Sequence, residues 1–309
     1  MRILVSTAAV NRVLPSPLDR EAAAAAVLLS LEGFTPEGAA RVLGSCVSRG
    51  RTFNIDNTRQ WLQLLRRHHV QQPCVAISRQ PTVLEFRADS VAANADAVIG
   101  WMSGVGLTRL DIATILTLQP RLLNISHANV VAVDAWLRTE LGWSSGMIAT
   151  ALTKCSDFCQ SRPVTLSKKL SALQAFGLSR AQVSGMVFSM PKLFTGNFSG
   201  TRMQAKARFL THDMGRSISE TTACPSFFAY SLMGRTAPRW AFHTLHCKGQ
   251  LFVLGTQLTL TDGQFPVKLS ECPSLDEECK LRGLSRGEVY SEFLARYKLR
   301  GAVLGRGPA

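Results

Sequence analysis

Apolar residues recur along the chain in short stripes, each opened by a small polar residue and closed by a proline. The clearest stripe follows the i, i+3, i+4, i+7 spacing of one helix face and consists of Val183, Met186, Val187 and Met190. Ser179 precedes this stripe as a helix N-cap, and Gln182 completes the pattern of a capping box. Pro191 ends the helix, because a proline pushes the preceding residue out of the α region. The pattern therefore predicts a helix between Ser179 and Pro191.

The same pattern recurs at a nearly constant period. Gly106-Leu107-Thr108 begins 14 residues before Pro120, and Gly177-Leu178-Ser179 begins 14 residues before Pro191. A degenerate copy begins at Gly142-Trp143-Ser144, and the three glycines are 36 and 35 residues apart. A second apolar helix precedes each glycine, which supplies the C-terminal turn of that helix. A fixed period of this length predicts a solenoid, in which no unit buries its apolar face alone and stacked units share a core.

The predicted fold class is all-α: a helical-repeat solenoid, or superhelix, of roughly 35-residue two-helix units. Weaker copies on both sides give six to seven units over about 240 residues. The repeats are irregular in places, because Ser156 stands where a proline is expected and the second unit is short. Residues 1–20 are predicted to form a targeting segment or a flexible N-terminus, and residues 21–268 the repeat domain. Residues 269–309 form a C-terminal extension whose end we expect to be disordered.

The net charge of +14 is unevenly distributed along the chain. Residues 162–248 contain 12 lysines and arginines but only two acidic residues, Asp213 and Glu220. In a solenoid, charges repeated at the period form a stripe along one surface, and such a stripe attracts a phosphate backbone. The charge alone is equally compatible with a solvated basic face, because organellar proteins are often basic without a specific reason.

The cysteines and the apolar runs limit the class of protein further. No apolar run approaches the roughly 18 to 20 residues needed to cross a bilayer, so we expect no membrane partner. Eight cysteines are scattered along the chain without a Cys-x-x-Cys pair, and several occupy apolar stripe positions. We predict that they are reduced, small, buried residues rather than disulfides or metal ligands.

Two groups of residues are candidates for metal or catalytic chemistry. His243, His246 and Cys247 have an i, i+3, i+4 spacing that could place three metal ligands on one helix face. No fourth ligand is evident and the surroundings are basic, so we favour a helix packed by these side chains. The acidic cluster Asp276-Glu277-Glu278 is explained as a solvated helix start. We therefore predict that the protein is not an enzyme and has no metal or cofactor.

The segment around Pro225 carries the most specific signal in the sequence. It consists of Tyr230-Ser231-Leu232, Arg235 and Pro238-Arg239, followed downstream by Asp262 and Phe265. In register with the repeat period, this combination resembles the mitochondrial transcription termination factor (mTERF) family over about residues 28–268. The resemblance implies a left-handed superhelix of helical repeats with double-stranded nucleic acid along a concave basic groove. It also implies organellar work in transcription termination or regulation and, in plant and algal members, in RNA processing or ribosome assembly.

Seven basic residues are the candidates for contact with nucleic acid: Arg121, Lys169, Lys192, Arg202, Lys206, Arg235 and Arg239. Arg121 and Lys192 directly follow repeat prolines, which predicts that they lie at equivalent positions on one edge of the solenoid. Arg202 and Lys206 form an i, i+4 basic row with no acid nearby, with Arg208 as a weaker third member, and we favour contact with nucleic acid for this row. For Arg121 and Lys192, the alternative interpretation is a solvated position at that edge.

Arg235 and Arg239 lie four residues apart, on one helix face or at its entry, and could hold neighbouring phosphates. The alternative role of an arginine after Pro238 is structural, in capping the carbonyl groups of the preceding helix. Base contacts are not predicted, because phosphate contacts position a protein without specifying a sequence.

The function predicted from these observations is that of an organellar protein, monomeric and without chemistry of its own. We expect it to bind double-stranded DNA through a basic concave groove and to regulate transcription. The alternatives are a structured-RNA binder, a solenoid whose basic face meets an acidic protein, and a nuclease. The composition of the first 18 residues fits a transit peptide, although it is short for one, and leaves mitochondrion and chloroplast open.

Overall fold

The computed structural model of the protein describes residues 20–50, 53–196, 200–269 and 272–303. Within these ranges it contains 16 α-helices and no strand, and 75% of the structure is helical. The all-α helical-repeat prediction is therefore confirmed. The chain divides into two compact units, residues 1–163 and residues 164–309. Residues 1–19 of the predicted targeting segment and residues 304–309 of the predicted extension lie outside the described residues.

The first unit is built from four helix pairs, and a short 3-10 helix follows three of them. Its α-helices are α1 (Arg20–Leu31), α2 (Pro36–Ser48), α3 (Ile55–Arg67), α4 (Pro73–Arg79), α5 (Ala88–Gly104), α6 (Arg109–Leu118), α7 (His127–Leu141) and α8 (Ser145–Lys154). The 3-10 helices follow α4, α6 and α8 and span Pro81–Glu85, Pro120–Asn124 and Asp157–Gln160. The repeat is thus two α-helices and one 3-10 helix.

The second unit continues the pattern and then departs from it. Its α-helices are α9 (Pro163–Gln174), which begins at the last residue of the first unit, α10 (Arg180–Ser189), α11 (Thr201–Arg208), α12 (Ala237–His246), α13 (Leu254–Gln257), α14 (Gln264–Val267), α15 (Pro273–Arg282) and α16 (Arg286–Val303). Its 3-10 helices span Pro191–Thr195, Ile218–Thr222 and Pro225–Phe228. A π-helical segment, Phe209–Asp213, continues α11, and a second, Leu232–Thr236, leads into α12.

Four repeat prolines impose the same backbone conformation on the residue before them. The φ and ψ angles are −133° and 71° at Gln80, −138° and 65° at Gln119, −139° and 78° at Met190, and −136° and 69° at Cys224. These angles lie outside the α region, so each proline ends the preceding helix, as predicted. The chain does not enter a loop there; it starts a 3-10 helix, which the sequence did not predict.

The predicted helix starts and turns are present at residue level. Thr108 with Asp111 and Ser179 with Gln182 both form capping boxes. The glycine before each cap, such as Gly106 with a φ of 104°, lies in the left-handed region that side chains with a Cβ rarely adopt. The turn between the two helices of a repeat therefore favours glycine at this position, although His69, with a φ of 63°, occupies it between α3 and α4.

Partly buried asparagines connect 3-10 helices of the first unit to the α-helices beside them. Asn57 of α3 donates from Nδ2 to the carbonyl oxygens of Leu84 and Phe86, both at 3.1 Å, and its Oδ1 accepts from the backbone N–H of Ala88 at 3.0 Å. Asn94 of α5 repeats all three bonds one period later. These asparagines satisfy backbone groups at the end of the 3-10 helix, which would otherwise lack partners.

We expect the Asn57→Ala variant to lose about 2 kcal/mol in the free energy of unfolding, because three hydrogen bonds disappear and two carbonyl oxygens lose a partner. Urea denaturation followed by circular dichroism measures this change. Gln63→Ala is the matched control, since Gln63 is exposed on the same helix, and it should change the free energy by less than about 0.5 kcal/mol. Equal effects of the two substitutions would contradict the structural role of Asn57.

The C-terminal extension packs against the last repeat through aromatic side chains. The ring of Tyr290 on α16 lies 4.9 Å from the ring of Phe242 on α12 and 5.1 Å from that of Phe265 on α14. Cys247, at the end of α12, forms a disulfide with Cys272, which precedes α15. The prediction that all cysteines are reduced is therefore wrong for this pair. The other six cysteines form no disulfide: Cys46, Cys74, Cys155, Cys159, Cys224 and Cys279.

Candidate nucleic-acid interface

Three of the seven candidate residues have exposed side chains. Arg121 and Lys192 are each the second residue of a 3-10 helix, directly after a repeat proline, so they hold the equivalent places in their own repeats that the sequence predicted. Arg202 is exposed near the start of α11. None of the three forms an ion pair with another described residue. Their charges are therefore available to a phosphate group.

Lys169 and Lys206 lie differently, because both side chains turn toward a 3-10 helix. Lys169 Nζ donates to the carbonyl oxygen of Phe194, and Lys206 Nζ donates to that of Phe228 at 2.6 Å. Each acceptor is the third residue after a repeat proline. In the first unit, an asparagine side chain donates to the carbonyl oxygen at this same position. Burial lowers the pKa of both amines, and the charge of Arg202 lowers the pKa of Lys206 further. In the second unit, lysine has therefore taken over the bond that the asparagine makes.

Arg239 is the most deeply buried of the candidates, with 0% of its side chain exposed. Its Nη1 donates to the carbonyl oxygens of Gln257 and Leu260, both at 2.7 Å, and its Nη2 donates to Asp262 Oδ1 at 2.6 Å. The guanidinium also lies 5.0 Å from the centre of the Phe265 ring. These contacts match the structural alternative, except that the carbonyl acceptors lie at and beyond the C-terminal end of α13 and not on the helix that precedes Pro238. We therefore leave Arg239 out of the interface.

Arg235 is half-buried, four residues before Arg239. Its guanidinium carbon lies 4.9 Å from the centre of the Tyr230 ring, which is close enough for a cation–π contact. Its Nη1 also approaches the carbonyl oxygen of Leu258 at 3.5 Å. Arg235 and Arg239 therefore do not form one exposed pair, and only Arg235 is partly accessible.

One groove of the second unit gathers several basic and aromatic residues, and we call it the α11 groove. Its volume is about 720 Å³. One wall is α11 with its π-helical continuation, the next is the segment from Ala229 to Met233, and the third includes Tyr297 of α16. The basic lining residues are Arg202, Lys206 and Arg208.

The sequence placed the first two of these basic residues in one row, with Arg208 as a weaker third member, but did not include Tyr230 or Tyr297 among the site residues. Tyr230 belongs to the segment that carries the family resemblance, so a signal for it was present. Tyr297 lies in the C-terminal extension, 89 residues after Arg208, and no local pattern connects the two.

The candidate metal site at His243, His246 and Cys247 does not have the required ligands in the structure. Cys247 is oxidised in the disulfide, so it offers no thiolate. His243 and His246 are buried, and burial lowers the pKa of both imidazoles. No group of three or more potential ligands comes together among the residues that the structure describes. In the same residues, no helix combines the length and the apolar composition that a membrane crossing requires.

Comparison with known proteins agrees with the repeat pattern. Residues 44–266 match the family model described as mTERF. This range includes the complete segment from Tyr230 to Asp262 and all seven candidate residues. No curated protein matches the chain.

Proposed function

This chain belongs to the mTERF family, and from that membership we propose that it binds double-stranded DNA in an organelle and regulates transcription there, by termination or a related step. The family points to organellar nucleic-acid binding and to transcription-related roles. It is generally a family of nucleic-acid-binding helical repeats and not of enzymes. Mitochondrion and chloroplast are both compatible with the proposal, and we propose a monomer as the binding form.

The observation that carries the proposal is the uncompensated charge of the repeats. Residues 162–248 contain 12 basic and two acidic residues, and one of those acids, Glu220, is paired with Arg216. Exposed cations at Arg121, Lys192 and Arg202 meet the requirement for phosphate contacts, since each is free to release a counterion from the nucleic acid. Arg235 is a further candidate for a contact at its accessible edge.

We expect the affinity for duplex DNA to fall about 40-fold between about 50 and 200 mM salt if three phosphates are contacted. Fluorescence anisotropy with labelled duplex DNA over a salt series measures the slope. Arg121→Ala and Lys192→Ala should each reduce the slope of log affinity against log salt by about one. Arg66→Ala removes the same charge from an exposed position on α3 outside the basic segment and serves as the control.

Three outcomes would oppose the proposal. Binding that does not depend on salt would favour an acidic protein partner for the basic face. Both duplex DNA and structured RNA present phosphates, so their affinities have to be compared directly. Tighter binding of a structured RNA than of duplex DNA would favour the RNA alternative. A loss of slope in Arg66→Ala equal to that in Lys192→Ala would show that charge alone, without a defined surface, determines binding.

A further inference from the structure

The α11 groove has a size and a composition that duplex binding does not explain. Its volume of about 720 Å³ lies within the range of sites that enclose one small molecule. Three cations line it: Arg202, Lys206 and Arg208. Among the described residues, none of the three forms an ion pair. Asp213 is the acidic residue of the lining, and it too makes no ion pair with them.

Among the groove residues, Lys206 is the strongest indication that an anion binds there. Its side chain is only 8% exposed, and its one described hydrogen bond goes to a neutral carbonyl oxygen, that of Phe228. An ammonium group has three N–H donors, so two remain for another partner. Arg202 lies four residues earlier on the same face of α11, and like charges at this spacing repel each other. A buried cation without a counter-charge is costly, and a bound anion removes that cost.

The charge balance of the lining distinguishes between two kinds of phosphate. Three cations and Asp213 leave a local charge of about +2 if all are ionised. An internal phosphodiester carries one negative charge, whereas a terminal phosphate carries about −1.5 to −2 at neutral pH and offers three acceptor oxygens. The two groove arginines supply bidentate donors for such a group, and Lys206 supplies a point charge.

We propose that the α11 groove binds a phosphomonoester, the terminal phosphate of a nucleotide or of a nucleic-acid strand. Tyr230 and Tyr297 border the groove beside the three cations and provide apolar surface for the nucleoside that carries the phosphate. The proposal deepens the nucleic-acid-binding function by naming a second ligand class, yet it requires only the second structural unit. It also gives the C-terminal extension a role, since Tyr297 belongs to α16.

The test compares two short single-stranded oligonucleotides that differ only in a 5′-phosphate or a 5′-hydroxyl group, each labelled at the 3′ end. We expect the phosphorylated strand to bind about tenfold more tightly to the full-length protein. A difference of this size corresponds to the gain of about one charge-assisted hydrogen bond. Arg208→Ala should abolish this preference, because it removes one of the cations that line the groove. The variant should fold normally, since Arg208 is exposed and its side chain has no described structural partner. Lys168→Ala removes an exposed charge from α9, outside the groove, and should retain it. Lys206→Met should abolish it too, with circular dichroism as the check on folding.

Further arms of the experiment separate the sources of the phosphate and the two proposals. Competition by a mononucleotide identifies a free nucleotide as a ligand, and a preference found only with the oligonucleotide identifies a strand end. Equal affinities for the two strands, or a preference lost equally in Lys168→Ala, overturn the groove proposal. Intact duplex binding in that case leaves the proposed function standing. A 5′-phosphate preference without any duplex binding overturns the proposed function and leaves the groove proposal standing.

Discussion

The Arg239→Ala variant should lose at least about 3 kcal/mol in the free energy of unfolding, because the guanidinium holds several buried acceptors at once. Its donors reach the carbonyl oxygens of Gln257 and Leu260 and the carboxylate of Asp262. After truncation these carbonyls have no partner, and a cavity replaces a fully buried side chain. Asp262 adds less to the loss, since 57% of its side chain is exposed to water. Urea denaturation monitored by circular dichroism measures the change.

Arg235→Ala is the control for this prediction, since it removes the same charge four residues earlier on a half-buried position. We expect it to cost less than about 1 kcal/mol, the usual limit for a partly solvated contact of this kind. If the two alanine variants unfold at the same urea concentration, the structural assignment of Arg239 is wrong. Loss of nucleic-acid binding in an Arg239 variant would not by itself identify a phosphate contact, because the last repeat is expected to loosen.

The sequence predicted those parts of the fold that depend on neighbours within one helix turn. The sequence signals for these parts lie at most four positions apart. They comprise the capping boxes at Thr108 and Ser179, the helix end before Pro191 and the left-handed glycine turns. The 3-10 helices were not predicted, since a proline ends a helix without specifying what comes next. The asparagine bonds were also missed, because Asn57 and its acceptor Leu84 are 27 residues apart and share no local pattern.

The site residues show the same limit. The i, i+4 spacing of Arg202 and Lys206 correctly indicates one helix face, yet one side chain is exposed and the other is 8% exposed. The difference arises from the 3-10 helix Pro225–Phe228, whose carbonyl at Phe228 draws the lysine inward. Arg239 is buried for a related reason, because the chain from Gln257 to Asp262 wraps around its guanidinium. Spacing identifies a face of a helix, and long-range packing decides what covers that face.

The disulfide between Cys247 and Cys272 was missed for this reason as well. The two cysteines are 25 residues apart and belong to no short pattern. Their pairing requires the C-terminal extension to fold back onto α12, which the aromatic contacts of Tyr290 with Phe242 and Phe265 achieve. Both cysteines are buried, at 2% and 0% exposure, so the bond lies within the packed end of the second unit.

Loss of this disulfide should lower the free energy of unfolding by about 3.5 kcal/mol, the chain-entropy value for a closed loop of this length. The double variant Cys247→Ala and Cys272→Ala, compared with the unmodified protein by urea denaturation without a reductant, measures the loss. Adding a dithiol reductant should destabilise the unmodified protein by a similar amount and leave the double variant unchanged, which controls for effects of the reductant on the other cysteines. Alkylation of the denatured, unreduced protein should modify only the six cysteines outside the disulfide. Modification of all eight cysteines, or equal sensitivity of both proteins to the reductant, would show that the extension is held by aromatic packing without the covalent bond.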